Sequence, residues 1–198
     1  MLRPIVARAA LVVALAGMGG CAAASQLAAL RQVEFRFDHI GSPQVAGVPL
    51  ERIRSYSDLS VTDAARIGMA LTSGEVPMDL TVHVTGRNPE SNAVTARLVA
   101  MDWAYLVDDR EAVSGRLTDP VSFAPGAAQD IPLRVHLDLM EVFDERGRDL
   151  VEVGLALAGQ GSGSHKVTFR IAPTVDTPLG PIQYPVPISF DISSNSGR

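Results

Sequence analysis

The residues that could do chemistry in this chain are few and widely spaced. It holds four histidines, His39, His83, His136 and His165, and a single cysteine, Cys21. Imidazoles and thiolates are the usual transition-metal ligands, and imidazoles are also the commonest general bases, so spacing decides what these residues can do. The histidines occur singly, with no HxH or HExxH pair. His83 and His136 fall on the polar positions of two alternating runs and could neighbour one another across a sheet. With no cysteine or carboxylate at ligand spacing, the bland reading, solvated strand residues, is preferred. Asp108-Asp109 could invite calcium but lacks the glycine and distal glutamate of an EF-hand loop; a charged hairpin tip fits it better. Ser162 and Ser164 lie in the glycine-rich stretch Gly159–Ser164, which has no GxSxG elbow, no GxGxxG and no P-loop lysine. Trp103 and Tyr105 share a face with Met101 and Val107. They could line a groove, but aromatics at period two read first as core. The expectation is therefore no catalytic residue, no cofactor-binding residue, no metal ligand set and no enzymatic activity.

Cys21 stands apart because of its position. Arg3 and Arg8 form a short positive region, Ala9–Met18 is almost wholly apolar, and Gly19-Gly20 supplies small residues just before the cysteine. An apolar core of this length is too short to span a bilayer and suits an export signal. The segment resembles a bacterial lipoprotein signal, in which the cysteine is acylated and becomes the mature N-terminus. Met18 departs from the usual leucine but keeps the apolar character. Ala22 follows the cysteine where an aspartate would direct retention, which implies the outer membrane. One acyl chain binds a bilayer only marginally, but two or three make the attachment effectively permanent. A lone cysteine also rules out an intrachain disulfide.

The organisation expected is a signal peptide over 1–20, an acylated cysteine and tether over 21–31, one folded domain over 32–192, and a flexible tail over 193–198. The chain has 198 residues, enough for one well-buried domain. With 17 basic against 22 acidic residues it is acidic, which argues against non-specific nucleic-acid binding. No second apolar run is long enough to span a membrane.

Alternation predicts the elements that position these residues. Val33, Phe35 and Phe37 form one half-buried strand, punctuated by Ser42-Pro43 and Gly47, and Val48–Arg54 reads as a second. Ser60 with Asp63 three residues later reads as a helix start, and Gly74 and Pro77 close that helix. Met78, Leu80, Val82 and Val84 alternate with Asp79, Thr81, His83 and Thr85 in a strand that Gly86-Arg87-Asn88-Pro89 ends. The run Val94–Val107 returns from that turn. After Ala124-Pro125-Gly126, the residues Ile131, Leu133, Val135, Leu137 and Leu139 define another strand. Leu150, Val153 and Leu157 fit a helical face, whereas Val151, Val153, Leu155 and Leu157 fit a strand; length favours the helix. Val167–Ile171 and Ile188–Ile192 close the pattern as strands, separated by the turn Thr177–Pro181. The fold class expected is mainly β, an antiparallel immunoglobulin- or fibronectin-III-like sandwich with one or two inserted helices.

These segments together resemble the late-embryogenesis-abundant type 2 family, also described as the water-stress and hypersensitive-response (WHy) domain. The resemblance rests on LTVHVTGRNP (Leu80–Pro89), LVAMDWAYLV (Leu98–Val107), Gly115, PGAAQDIPLRVHLDL (Pro125–Leu139) and the tail Val167–Ile192. Glu90 stands where the family commonly has a second asparagine, and Ser60–Gly74 is an added helix. The resemblance implies a β-sandwich linked to desiccation and other stress responses, without catalytic residues, in which Asn88 and Pro89 are structural. The resulting expectation is a non-enzymatic, membrane-tethered accessory domain of the cell envelope, facing the periplasm. The alternative is a carrier of lipid or another apolar ligand, held under the inserted helix.

Overall fold

The computed structural model describes residues 33–142, 148–159, 165–176 and 181–192. The signal segment, Cys21, the tether, the Ser162 and Ser164 loop, the Thr177–Gly180 turn and the tail lie outside the described residues.

Two antiparallel sheets face one another. In one, β2 (Val48–Pro49), β1 (Glu34–Val45), β3 (Pro77–Arg87) and β7 (Ala128–Asp138) lie in that spatial order. In the other, β10 (Ile188–Asp191), β8 (Val167–Val175), β4 (Ala96–Val107) and β5 (Arg110–Leu117) form the main path. The short β6 (Val121–Phe123) pairs with β4, and β9 (Ile182–Gln183) pairs with β8. Alternation puts Met78, Leu80, Val82 and Val84 of β3 opposite buried residues of β7, with Leu80 facing Val135 and Val82 facing Leu133. Met101 and Tyr105 of β4 and Phe169 and Ile171 of β8 supply buried side chains from the second sheet. Period-two burial of one face on each sheet is what makes this a sandwich.

The inserted helix is α1 (Val61–Ser73). The Ser60 hydroxyl accepts from the Asp63 amide at 3.2 Å, as the cap motif predicts. The Asp63 carboxylate accepts from the Ser60 hydroxyl at 2.6 Å, the shorter aspartate thereby bonding the cap's side chain. Gly74 closes the helix in the left-handed conformation, with φ 80°. Ile67 is the buried residue of this helix, so α1 is held by a narrow contact.

The ambiguous stretch after β7 is helical. A short α2 (Leu139–Val142) leads to α3 (Arg148–Leu157), with Val151, Val153, Leu155 and Leu157 all buried. The buried run at Val151, Val153, Leu155 and Leu157 also has period two, which is why its periodicity read equally as a strand. It packs closely: a Cβ on Gly154 would lie 2.8 Å from a Val45 methyl carbon.

Three expectations change. The strand expected over Val48–Arg54 ends at Pro49, because Leu50 and Ile53 fold inward through a turn in which the Ile53 amide donates to the Leu50 carbonyl at 3.0 Å. β1 runs through Ser42-Pro43 by register shifts between Phe37 and His39 and between Gly41 and Gln44. β5 and β6 lie between the Asp108-Asp109 tip and Ala124, where alternation predicted no strand.

Candidate functional site

The outer face of the β1-β3-β7 sheet gathers three of the four histidines. His39 of β1 is the register partner of His83 of β3, and their rings stack with centroids 4.3 Å apart and planes 6° from parallel. Simple alternation from Phe35 and Phe37 would turn His39 inward. The shift between Phe37 and His39 reverses that parity and places it beside His83. His83 Nδ1 lies 2.9 Å from an Asp130 carboxylate oxygen on β7, and His39 Nδ1 lies 3.0 Å from Asp38. His136 instead pairs with Asp79, at 2.7 Å, so the possible neighbourhood of His83 and His136 does not form, in line with the preferred reading of solvated strand residues. The sequence shows each histidine, but the pairing of His39 with His83 depends on a bulge that no short motif announces.

Asp108 and Asp109 form the tip of the β4–β5 hairpin, with φ 49° and 63°. Two successive left-handed residues are what a tight two-residue hairpin requires, and aspartate tolerates them. Asp108 accepts from the Lys166 amide at 2.9 Å and pairs with His165 Nδ1 at 2.7 Å. The hydrogen bond from His165 and then that from the Lys166 backbone hold the Asp108 carboxyl below its usual range. Lys166 reaches Asp109 at 2.8 Å, which raises the lysine. The tip is therefore clasped by the start of β8.

Tyr105 is fully buried and its hydroxyl donates to the Leu157 carbonyl, at the C-terminus of α3. Burial pushes this phenol well above its ordinary value, so it stays neutral. Trp103 points to the same inner face but is half-buried. It stacks on Phe169 with centroids 5.9 Å apart and lies across Gly115, where a Cβ would meet the indole at 2.4 Å. Its face was legible in the sequence; its place near the β5 edge, which leaves it partly exposed, was not.

On the outer side of the β5-β4-β8 sheet, Ala104, Ser114 and Ala172 floor a shallow groove of about 440 Å³ flanked by Arg116 and Arg170. Arg116 and Gln183 both engage Asp102, at 3.1 and 2.6 Å. Beside α1, a second groove of about 400 Å³ is lined by Ala46, Arg66, Met69, Ala70 and Glu75, among others. Among the described residues, no group of three or more His, Cys, Asp or Glu side chains is placed to hold a metal ion. No described helix is long and apolar enough to cross a membrane.

No family model matches the chain, and no curated protein matches it. Among solved structures it is similar to a protein from Archaeoglobus fulgidus, at 12% identity and a TM-score of 0.39, over 79% of this chain and 95% of that one. It is also similar to a protein provisionally described as late embryogenesis abundant (LEA), known from a solution structure. That likeness has 15% identity and a TM-score of 0.42, over 94% of this chain and 84% of that one. At these scores the sandwich stands on its own strand pairing and buried faces.

Proposed function

We propose that the chain is a non-enzymatic accessory domain of the cell envelope, tethered to the membrane through lipid on Cys21 and serving in stress responses such as desiccation. The observation that carries the reading is where the buried polar groups go. Asn88 and Asn92 are both buried, and they bond one another and the backbone around the Asn88-Pro89 turn. Their hydrogen bonds close the loop after β3, the structural role that the WHy resemblance implies for Asn88 and Pro89. The lipoprotein-like segment ending at Cys21 supports the tether, and the resemblance of Leu80–Pro89 and Pro125–Leu139 to WHy domains supports the stress role.

The carrier alternative draws support from α1, where Met69, 66% exposed, lines the groove beside the helix. Native mass spectrometry of the full-length protein extracted in mild detergent separates the two. A co-purifying lipid beyond the covalent acyl mass supports a carrier, and its absence supports the accessory role. The tether is tested by Cys21→Ser, which should leave unprocessed precursor or soluble protein. A variant that carries no other modification and still stays with membranes in high salt, where weak electrostatic attachment is screened, would overturn it.

A further inference from the structure

We propose that His39 and His83 form a two-histidine site for a divalent transition-metal ion on the outer face of the β1-β3-β7 sheet. The first argument is the direction of the free nitrogens. Each Nδ1 faces a carboxylate oxygen, Asp38 for His39 at 3.0 Å and Asp130 for His83 at 2.9 Å. An ionised carboxylate only accepts, so each Nδ1 carries the hydrogen, and in the neutral rings the lone pair is on Nε2. A carboxylate behind the non-ligating nitrogen is the arrangement that orients metal-binding imidazoles and raises their basicity.

The second argument is Gly41. Its φ lies outside the left-handed region, so backbone conformation does not demand glycine there. What the missing side chain permits is the close approach of the His83 ring to the β1 backbone. A Cβ built on Gly41 would sit 3.0 Å from His83 Nε2 and 3.8 Å from His39 Nε2. Both Nε2 atoms therefore lie within 4 Å of one point over Gly41, which a side chain there would occupy.

Imidazole suits copper and zinc, and Cu²⁺ should bind tightest of the common divalent ions. Metal–nitrogen bonds of roughly 2.0–2.1 Å cannot lie in both of two parallel ring planes, so binding must splay the stack. His39 is the ring free to turn, since its side chain is 57% exposed against 22% for His83. Water or a ligand from another molecule completes the coordination, and Asp38 and Asp130 offset the charge.

The test is titration of the untagged full-length protein with Cu²⁺ and with Zn²⁺, followed by isothermal calorimetry and, for copper, electron paramagnetic resonance. One ion per chain, with hyperfine splitting from two nitrogens, is expected. His39→Ala and His83→Ala should each weaken affinity at least tenfold, and His136→Ala should leave it unchanged. Gly41→Ala should weaken it while both imidazoles remain, a result that simple surface histidines would not give. Unchanged thermal midpoints for His39→Ala and Gly41→Ala confirm that these readings come from folded protein. Either absence of saturable binding or equal binding by the double histidine variant overturns the proposal.

Discussion

The two ends of the sandwich are closed by different chemistry. At the end where β3 leaves its sheet, Asn88 is 0% exposed, and its side-chain amide donates to Val94 and Phe123 carbonyls at 3.1 and 2.9 Å. Its own oxygen accepts from Asn92 at 2.8 Å, and its backbone amide donates to Ala127 at 2.9 Å. One side chain thus ties the end of β3 to β6 of the facing sheet. At the opposite end the closure is apolar: α3 lays Val151, Leu155 and Leu157 into the core, and the Tyr105 hydroxyl bonds the Leu157 carbonyl. A polar lock depends on which atoms are present, and an apolar plug depends on volume, so the two should fail under different substitutions.

The largest effect is expected at the lock. Asn88→Ala removes the donor to the buried Phe123 carbonyl and the part-buried Val94 carbonyl and the acceptor for Asn92, and an orphaned buried group costs about 1–3 kcal/mol. A loss on the order of 3–5 kcal/mol in urea unfolding is expected once partial relaxation is allowed for. That is a large share of a domain's typical stability of about 5–15 kcal/mol. A change below about 1 kcal/mol would mean that water replaces the amide and that the lock is not one. At the plug, Leu155→Ala should cost about 2–5 kcal/mol through the cavity it leaves. Tyr105→Phe keeps the volume and should cost only about 1 kcal/mol, the net worth of one hydrogen bond. A larger loss for Tyr105→Phe than for Leu155→Ala would reverse the contrast.

The lock was legible in the sequence from a local motif, the plug only as a helix chosen by length, for a physical reason. Asn-Pro is a local signal: proline stops the ladder and fixes the turn, and asparagine is suited to bonding nearby backbone. That it would also reach Phe123, far along the chain, was not readable. Val151, Val153, Leu155 and Leu157 alternate as a strand would, so only length pointed to the helix that forms, and nothing local showed that it would close the core. The same limit applies to the candidate metal pair. Alternation assigned His83 to the outer face correctly, but His39 joins it only through a shift in register. Trp103 lies between these cases. Its face was predicted, and a fully buried tryptophan would lose about 3–5 kcal/mol on truncation. Half-buried over Gly115 and Phe169, Trp103→Ala should fall below that range, at about 2 kcal/mol, with native emission between those of core and solvent. A loss of more than about 4 kcal/mol would place it wholly in the core.

The smallest effect should separate the two ends by pH. Asp108 sits at the hairpin tip beyond Tyr105 and Val107, on the side of the molecule that α3 closes, and it clasps His165 and the Lys166 amide. Its folded-state pKa lies below the ordinary aspartate range, first because of the hydrogen bond with His165 and then because of the Lys166 amide. A depressed carboxylate contributes stability that is fully present above its unfolded pKa, about 3.9, and is lost as pH falls through the lower folded value. Lys166–Asp109 and the nearby Arg110 and Asp191 charges are solvent-exposed and screened, so the whole contribution is modest. The Asn88 lock has no titratable member. Acidification through that window should therefore loosen the β4–β5 tip and the start of β8 while leaving the Asn88 turn protected. Amide exchange, compared between pH 6 and about pH 3 after correction for intrinsic rates, reads this as faster opening at Val107 and Val167 than at Val84 and Ala96. Asp108→Asn should remove most of the pH dependence at the tip. Equal acid loosening at both ends, or an unchanged pH response in that variant, would show that the clasp does not set the tip's stability.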